Sequence, residues 1–551
     1  MAMFLRRKHI VVGGKAYDYY AVVENVREGG KVRQKTVVHL GKLDLKDSRR
    51  VLEWLKGLAL LSPGVMVAEA SDVVPDGSVV FAPLLAAKAA WDFWGLGEAI
   101  KRVAGEDVSH LAFVMASNRL TDPGSKLFVS QWYPKTALPQ LLGLRSEDVY
   151  DERLYRAMDE LLPARHAVED AVASKLREIG QDLRVILYDI TSTYFLGRES
   201  ELLKRGYSRD HRGDKPQVTV GLVTTVDGFP LTHRVYPGNT SDVATVFGVA
   251  KELKERFGAE RAVFVGDRGM MSDENVKKLL RLGYRYILCL RQPNVPRLGD
   301  DFWKALPARA KESLVIRDVR RGRGRFVIGY NPEKAERDRK AREDLILKAK
   351  QQLERLAASA GKGRYRSKSG LLKRATKILV LLGAERYFSY DVSPRGRPRL
   401  HFSLNQDEVE RSSRRDGVFV LRTNVLDLPP EEVVAAYKSL GSIERAFRAL
   451  KSFVRIRPVY HRKDLRIRAH VFICVLAYLL ERTLEHWMRK NGIARTWPDV
   501  LSELETLRWS WIEVGKKRIG RPDRPTPEQL PILEALGIAG EFGRMEVSDN
   551  P

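Results

Sequence analysis

Two aspartates follow short apolar runs that are typical of buried strands. Asp189 ends the run that begins at residue 184, and Asp267 follows the run over 262–265 by one glycine. In neighbouring strands, both carboxylates leave the sheet at one edge and repel each other unless cations lie between them. Oxygen ligands without a His or Cys cluster favour Mg²⁺ or Mn²⁺ over zinc. The sequence therefore predicts a divalent metal site, although either acid alone is equally well explained as a chance strand end.

A third acid, Glu444, lies in a helical pattern that runs from about residue 430 to 451. Tyr437, Glu444 and Lys451 are seven residues apart, so we expect them on one helix face. Arg448 lies four residues after Glu444 and could form an ion pair with it. Taken alone, the segment is equally well explained as a solvated helix face with ion pairs.

The elements that must position these acids follow in a defined order. The first strand precedes a hairpin across Asp227-Gly228, a helix over 243–257 and the second strand, and then a further helix and strand reach residue 290. A mixed sheet with three consecutive strands first and crossover helices after them is the ribonuclease-H-like arrangement. We therefore expect an α/β fold with a ribonuclease-H-like mixed sheet flanked by helices.

The remaining segments differ in their patterns. Alternation around glycine turns predicts an N-terminal β meander, and helical periodicity follows it. A basic insertion precedes the Glu444 helix, and strand-like pieces at 326–328, 378–382 and 417–421 flank its polar helix over 333–358. The expected segments are the meander 1–45, the helical region 46–180, the first part of the core 181–293, the insertion 294–425, the Glu444 helix with the rest of the core 426–495, and a C-terminal region 496–551.

The charge of the chain narrows the class of partner. Lys and Arg number 96 against 70 Asp and Glu, a net charge of +26. Residues 317–374 and 451–490 carry 19 of these excess charges and bracket Glu444 along the chain. Such a balance favours nucleic acid or, less often, an anionic membrane surface, although a soluble basic protein would show it too.

Several other classes of protein are disfavoured. No Gly-x-x-x-x-Gly-Lys-Ser/Thr string occurs, which argues against an ATP-driven motor. Cys289 and Cys474 lie in apolar surroundings and are interpreted as small buried residues. The apolar run 471–480 has about half the length needed to span a bilayer. The sequence thus predicts a soluble intracellular chain without a membrane partner.

The chain resembles the DDE transposases of bacterial insertion sequences, in the broad insertion-sequence-four-like class and its subgroup with a long N-terminal region. Any one of the matching stretches is weak evidence, but their order along the chain is specific. They are 19–30, 118–126, 188–191, 206–212, 237–242, 267–269 and the helix 437–451.

This resemblance implies a function and a set of catalytic residues. Asp189, Asp267 and Glu444 would be the catalytic triad, binding Mg²⁺ (or Mn²⁺), with two ions expected. The reaction would be metal-dependent DNA cleavage and strand transfer on double-stranded DNA, namely the inverted-repeat ends of the element and the target. The resemblance also implies a homodimer in the synaptic complex and a cytoplasmic, nucleoid-associated location in a bacterium or archaeon.

The family signature on the helix is matched at Tyr437, Glu444 and Lys451, but Leu440 occupies the position of its arginine. Arg445 or Arg448 could supply the missing phosphate contact. An aromatic residue of the insertion often stacks on a flipped base in relatives, and Trp303 is the residue proposed for that role. The DNA-binding residues expected are Tyr437, Arg448, Lys451, Arg455, Arg457, Arg268 and Trp303.

The recognition of element ends is assigned by elimination, because no helix-turn-helix pattern is found. The N-terminal strands and the helical region are the expected site, and 496–551 could provide a dimer or synapsis contact. Arg119, Lys126 and Trp132 are either phosphate or base contacts or ordinary packing residues.

Two other functions are also compatible with the sequence. One is a ribonuclease-H-like structure-specific nuclease without strand transfer, and the other is a catalytically inactive DNA-binding protein.

Overall fold

The chain folds into two compact units. One contains Met1–Ala89, Ser130–Glu147 and Trp487–Pro551, and the other contains Ala90–Val129 and Asp148–His486. No helix in the described part of the chain is long and apolar enough to cross a membrane. The computed structural model describes residues 3–28, 31–42, 47–59, 61, 67–181, 183–196, 200–257, 263–266, 272–290, 317–321, 324–393, 396–457, 459–514 and 517–549.

Strands occur in both units. In chain order they are β1 (Met3–Val12), β2 (Lys15–Glu28), β3 (Lys31–Gly41), β4 (Val73–Val80), β5 (Val185–Tyr194), β6 (Gln217–Thr224), β7 (Pro230–Pro237), β8 (Val263–Gly266), β9 (Arg285–Cys289), β10 (Arg317–Arg321), β11 (Gly324–Tyr330), β12 (Phe388–Val392), β13 (Leu400–Leu404), β14 (Val418–Thr423), β15 (Arg508–Val514), β16 (Lys517–Pro522) and β17 (Glu546–Asp549).

Helices connect and cover these strands. In chain order they are α1 (Ser48–Ala59), α2 (Ala82–Phe93), α3 (Leu96–Ala104), α4 (Glu106–Thr121), α5 (Lys126–Trp132), α6 (Leu138–Leu142), α7 (Asp151–Leu161), α8 (Arg165–Glu178), α9 (Asp242–Phe257), α10 (Asp273–Arg281), α11 (Pro332–Ala358), α12 (Lys368–Leu382), α13 (Gln406–Ser413), α14 (Pro430–Lys438), α15 (Leu440–Ser452), α16 (Asp464–Lys490), α17 (Trp497–Leu504) and α18 (Leu530–Ala535).

The second unit is built around an eight-stranded mixed sheet of order β10-β11-β14-β9-β8-β5-β6-β7. The strands β5, β6 and β7 are antiparallel neighbours, and the hairpin between the last two turns at Gly228 with φ +86°. On its other side β5 pairs in parallel with β8, which pairs in parallel with β9. The predicted order of strand, hairpin, helix, strand, helix and strand is therefore present.

The basic segment 294–425 contributes to this sheet as well as to a separate core. Its strands β10, β11 and β14 extend the sheet beyond β9 in antiparallel pairing. Between β11 and β14, the helices α11 and α12 pack with β12 and β13 around their own buried residues. The strand expected at 378–382 is wrong, because these residues continue α12, where Leu371, Ala375, Ile378 and Leu379 are buried at helical spacing.

Two sheets belong to the first unit. The strands β1, β2 and β3 form the antiparallel meander expected from the glycine turns. The other sheet has the order β17-β16-β15-β4 and joins residues more than 400 positions apart. The helical pattern expected over 46–180 is thus wrong at 73–80. This Val-Val-Pro-Asp-Gly-Ser-Val-Val run forms the strand β4 because it pairs with the edge of β15.

The predicted helix over 430–451 is divided in two. A turn at Ser439 separates α14 from α15, so Tyr437 lies on the first helix and Glu444 and Lys451 lie on the second. Tyr437 stacks on Phe419 of β14, with ring centroids 5.7 Å apart. The expectation of one shared helix face therefore holds only for Glu444 and Lys451.

Two glycines allow a close backbone approach beside β6. A Cβ on Gly238 would lie 2.1 Å from the Gln217 carbonyl oxygen and 2.4 Å from that of Lys204, and a Cβ on Gly206 would lie 2.2 Å from the Gly238 carbonyl oxygen. Backbone atoms cannot move aside as a flexible side chain can. This approach fixes the start of the segment 206–212 against the sheet.

We expect Gly238→Ala to lower the free energy of unfolding by about 3 kcal/mol, the upper range for overpacking, because the new methyl group meets backbone oxygens. Urea denaturation measures this change. The matched control is Gly248→Ala in α9, where a Cβ meets nothing within 4 Å and alanine should stabilise the helix by about 0.5–1 kcal/mol. Equal stability of the two variants would contradict the close approach.

Candidate active site

Asp189 lies on the face of the sheet that α15 covers. Alternate residues of a strand face the same side, so Asp189 shares its face with Leu187. Leu187 is fully buried in one cluster with Ile443 and Phe447 of α15. The Asp189 carboxylate is half-buried, and its Oδ1 accepts a hydrogen bond from the Ile190 amide at 2.7 Å.

Asp189 does not end its strand as the sequence predicted, since β5 continues to Tyr194 opposite β6. Its pairing with β8, however, covers only Val185, Ile186 and Leu187. Asp189 therefore lies just beyond the parallel ladder, on the side where β8 ends at Gly266. The second predicted acid, Asp267, follows that glycine and lies outside the described residues, as do Arg268 and Trp303.

The helix α15 is amphipathic, which determines where Glu444 lies. Ile443, Ala446, Phe447 and Leu450 are buried against the sheet, and α15 packs on β5 and β6. Glu444 is exposed. Leu440, at the position of the missing family arginine, is buried in the same core.

Arginines accompany Glu444 on the outside of α15. Arg445 and Arg448 are both exposed. Among the described residues, no ion pair joins Glu444 to Arg448, so the expected pairing is not formed. Both arginines therefore keep their guanidinium groups at the surface of this helix.

Lys451 is engaged within the protein rather than extended into solvent. Its Nζ donates a hydrogen bond to Asp210 Oδ1 at 2.8 Å, and its side chain is 14% exposed. Burial lowers the pKa of Lys451 to about 8, with the charge of Arg209 acting in the same direction and the Asp189 carboxylate opposing both. The Asp189 carboxylate and the Lys451 ammonium thus interact electrostatically at one site.

Asp210 is a buried acid of this site that the sequence did not predict. Its side chain is 3% exposed and forms ion pairs with both Lys451 and Arg457. Its Oδ2 is buried without a hydrogen-bond partner among the described residues. The contact with Lys451 joins residues 241 positions apart, so no local pattern in the sequence indicates it. The only sequence signal for Asp210 is its place in the stretch 206–212 that matches the family.

The segment that carries Asp210 is tied to the sheet on two sides. The Arg209 amide donates to Ser192 Oγ of β5 at 2.8 Å, and its guanidinium donates to Asp242 at the start of α9 at 2.6 Å. His211 has φ +55°, a conformation that is uncommon outside glycine and is held only where the surroundings enforce it. These ties place Asp210 beside Lys451.

Arg455 and Arg457 follow α15 and lie where basic residues were expected. Arg455 is exposed, has φ +51°, and its carbonyl accepts a hydrogen bond from Arg119 at 2.9 Å. Arg457 lies over the Tyr194 ring at 5.8 Å. The segment 206–212 and the residues that follow α15 therefore each contain a residue in the left-handed region, namely His211 and Arg455.

A second acidic group lies elsewhere in this unit. His166, Glu169 and Glu252 bring possible ligand atoms within 4.8 Å of one another, the one such group among the described residues. Arg256 donates to Glu169 at 2.6 Å and to Glu252 at 2.9 Å. Since arginine already neutralises both carboxylates, this cluster is an ion-pair network rather than a cation site.

The mixed sheet carries Asp189 beside Lys451 of α15, and basic residues follow that helix. Residues 181–480 match the family described as the transposase DDE domain, and this match spans more than half of the 551 residues. The chain therefore belongs to the DDE transposase family. Residues 5–63 match the N-terminal domain of IS1634 family transposases.

These matches establish the class of activity. The chain is an insertion-sequence transposase, an enzyme that acts on DNA in transposition. Enzymes of the DDE family generally use divalent metal ions. The IS1634 family is distinct from the insertion-sequence-four-like class expected from the sequence, and neither matching family model names that class.

Two solved structures show remote likeness to the chain. A piggyBac transposase synaptic complex with hairpin DNA is 11% identical, with a TM-score of 0.38, and the alignment covers 79% of this chain and 81% of that one. A Mos1 transposase paired-end complex with the left transposon end is 14% identical, with a TM-score of 0.15, over 32% of this chain and 57% of that one. No curated protein matches the chain.

Proposed function

We propose that this transposase cleaves DNA at the inverted-repeat ends of its element and joins those ends to target DNA, with Asp189, Asp267 and Glu444 as the catalytic metal ligands. The observation that carries the proposal is the position of Asp189 on the sheet face covered by α15, beside Lys451 of that helix. Glu444 belongs to the same helix.

The chemistry of the donor set fits a hard divalent cation. The proposed ligands are all carboxylates, which suits Mg²⁺ or Mn²⁺, and we propose two ions. The exposed Glu444 carboxylate forms no ion pair with Arg448, so this arginine does not neutralise it, and the carboxylate can serve as a ligand of a divalent cation. When bound, two such ions would activate the attacking oxygen and stabilise the leaving oxygen in phosphoryl transfer.

The residues around the acids have separate roles in the proposal. Asp210 orients Lys451 and Arg457, whose charges face the phosphates next to the scissile bond. Arg445, Arg448 and Arg455 contact the DNA backbone, a kind of contact that positions DNA without reading its sequence. Tyr437, Arg268 and Trp303 remain proposed DNA contacts on the resemblance alone.

The finer assignment of fold and class is also part of the proposal. The order β7-β6-β5-β8-β9, with three antiparallel strands followed by two parallel ones, supports a ribonuclease-H-like core. The insertion-sequence-four-like class rests on the resemblance. So do a homodimer during synapsis and a nucleoid-associated location in a bacterium or archaeon. End recognition by 46–180 is instead assigned by elimination, and 496–551 is proposed as a dimer or synapsis contact.

The test uses a labelled duplex taken from the inverted repeats that flank the coding sequence, incubated with the full chain, Mg²⁺ and a target plasmid. We expect cleaved ends and joined products, both abolished by a chelator. Cleaved ends without joined products would replace the proposal by the nuclease without strand transfer. Binding without cleavage would replace it by the inactive DNA-binding protein.

A further inference from the structure

A basic pocket adjoins the candidate active site. Its volume is about 520 Å³, within the range of roughly 300–1,000 Å³ that is typical of sites for small ligands. Among the described residues, none that lines it is acidic. Residues that line it and carry the argument are Arg119, Lys126, Arg455, Arg457, His461 and His470.

Lys126 is the buried cation of this pocket, which we call the Lys126 pocket. The residue begins α5, is 3% exposed and lines the pocket. Among the described residues no carboxylate pairs with it, and its amine makes no hydrogen bond. Burial lowers the pKa of Lys126 to about 7, with the charge of Arg119 acting in the same direction and Cys474 opposing both. A charge buried without a partner is costly in the free protein.

Arg119 forms a wall of the pocket and is already occupied by backbone contacts. It donates to the carbonyl oxygens of Gly124 and Arg455, each at 2.9 Å. Its contact with Arg455 holds the segment after α15 against α4. Arg119 thus shapes the pocket, whereas Lys126 leaves its donors for a ligand.

The histidines of the pocket contribute no positive charge near neutral pH. Burial and the neighbouring cations lower the pKa of His461 to about 3 and that of His470 well below its usual value. His470 Nε2 lies 3.0 Å from the Ile456 carbonyl oxygen. The charge that faces an incoming ligand therefore comes from lysine and arginine.

The pocket shares a residue with the group of side chains around Asp189. Arg457 lines the pocket and also pairs with Asp210, the partner of Lys451. Val459, another lining residue, accepts a hydrogen bond from the Leu196 amide just after β5 at 3.1 Å. A DNA strand next to the proposed triad would therefore pass this pocket.

We propose that the Lys126 pocket binds a phosphate group of the DNA strand, with the Lys126 ammonium as its buried donor. The inference rests on the proposed function for the source of the phosphate, but the pocket itself is defined by its own residues. A phosphate supplies the negative charge that the described lining lacks, and charge-assisted hydrogen bonds of this kind are among the stronger ones in proteins.

The first experiment compares Lys126→Met with the wild type by thermal denaturation, with and without inorganic phosphate. Methionine keeps much of the side-chain length and removes the buried charge. We therefore expect a higher Tm without phosphate and a smaller rise when phosphate is added. Lys126→Arg, which keeps the charge, should retain much of the rise. A lower Tm for Lys126→Met, together with an undiminished rise in Tm on adding phosphate, would contradict phosphate binding by the Lys126 pocket.

The second experiment identifies the source of the phosphate by measuring affinity for a labelled end duplex. We expect Lys126→Met to weaken binding about tenfold or more and to reduce the slope of log K against log salt by about one. The matched control is Lys251→Met on α9, which loses the same charge from an exposed position and should change affinity less than twofold. If Lys126→Met loses the rise in Tm with phosphate but binds the end duplex as tightly as the wild type, DNA is not the source of the phosphate.

The pH dependence of stability gives a third readout. The pKa of Lys126 is lower in the folded chain than in the unfolded chain, so its burial destabilises most below pH 7, and this effect fades as pH rises toward 10.5. The groups that face it are Arg119, Arg455, His461, His470 and the thiol of Cys474. The Tm gain of Lys126→Met should therefore be larger at pH 6 than at pH 9, and a gain independent of pH would contradict the buried charge.

These outcomes separate the pocket from the proposed reaction. The phosphate effect on Tm needs neither Mg²⁺ nor cleavage, so it can be present in a chain that fails the cleavage test. Conversely, the wild-type chain could cleave and join DNA while Lys126→Met shows the same rise in Tm with phosphate as the wild type. That result would support the proposed function and contradict phosphate binding by the Lys126 pocket.

Discussion

Asp189→Asn is expected to lower the rate of metal-dependent DNA cleavage by about 10³-fold or more. A metal ion contributes several kcal/mol of transition-state stabilisation, and each 1.36 kcal/mol changes a rate tenfold. The asparagine side chain keeps the size of aspartate but lacks the charge that would hold the ion. Glu444→Gln, on the helix that covers Asp189, should have a comparable effect.

Single-turnover cleavage of a labelled end duplex in Mg²⁺ measures this loss, and a gel-shift assay on the same duplex measures binding. We expect binding to be retained, because each variant removes a negative charge from a site that faces DNA. Asp170→Asn and Glu255→Gln are matched controls, since both acids are exposed on α8 and α9 and pair with neighbouring cations. Cleavage by Asp189→Asn at the wild-type rate would refute the triad.

The sequence predicted those features that depend on local pattern and strand order. The apolar run before Asp189 and the run before Gly266 form the parallel neighbours β5 and β8, as expected. The hairpin at Gly228 and the helix α9 are also at the expected positions. These elements were predictable because periodicity, turn residues and connection rules act over short stretches of chain.

The features that the sequence did not predict depend on contacts between distant residues. Asp210 meets Lys451 across 241 positions, and Arg119 meets Arg455 across 336. The run Val73–Val80 lies in a region expected to be helical and forms β4 by pairing with the distant strand β15. Burial of Lys126 is equally invisible in sequence, since lysine is most often exposed. Local pattern therefore located the acids, while tertiary packing decided which charges surround them.

Asp210→Asn is expected to lower the free energy of unfolding by about 3 kcal/mol. Removing one partner of a buried ion pair typically costs about 3–5 kcal/mol because the other charge stays buried without compensation. The lower figure applies here, since Lys451 and Arg457 retain 14% and 27% side-chain exposure against 3% for Asp210. Urea denaturation at constant ionic strength measures the change. Asp214→Asn, two residues after the segment 206–212 and with a 59% exposed carboxylate, should leave stability nearly unchanged.

A double-mutant cycle separates this ion pair from a general effect of the substitution. Lys451→Met alone leaves Asp210 facing one cation instead of two, whereas Asp210→Asn with Lys451→Met removes both members of the Asp210–Lys451 pair. We expect the double variant to be more stable than the sum of the single effects predicts, by about 1 kcal/mol or more, because residues within one ion-pair network couple by roughly 0.5–3 kcal/mol. The rate of DNA cleavage by the double variant should be lower than that of the wild type, since Lys451 is also proposed to face DNA. Additive stabilities would mean that Asp210 does not hold Lys451 at the site, and Asp210 would then be a structural residue of the segment 206–212.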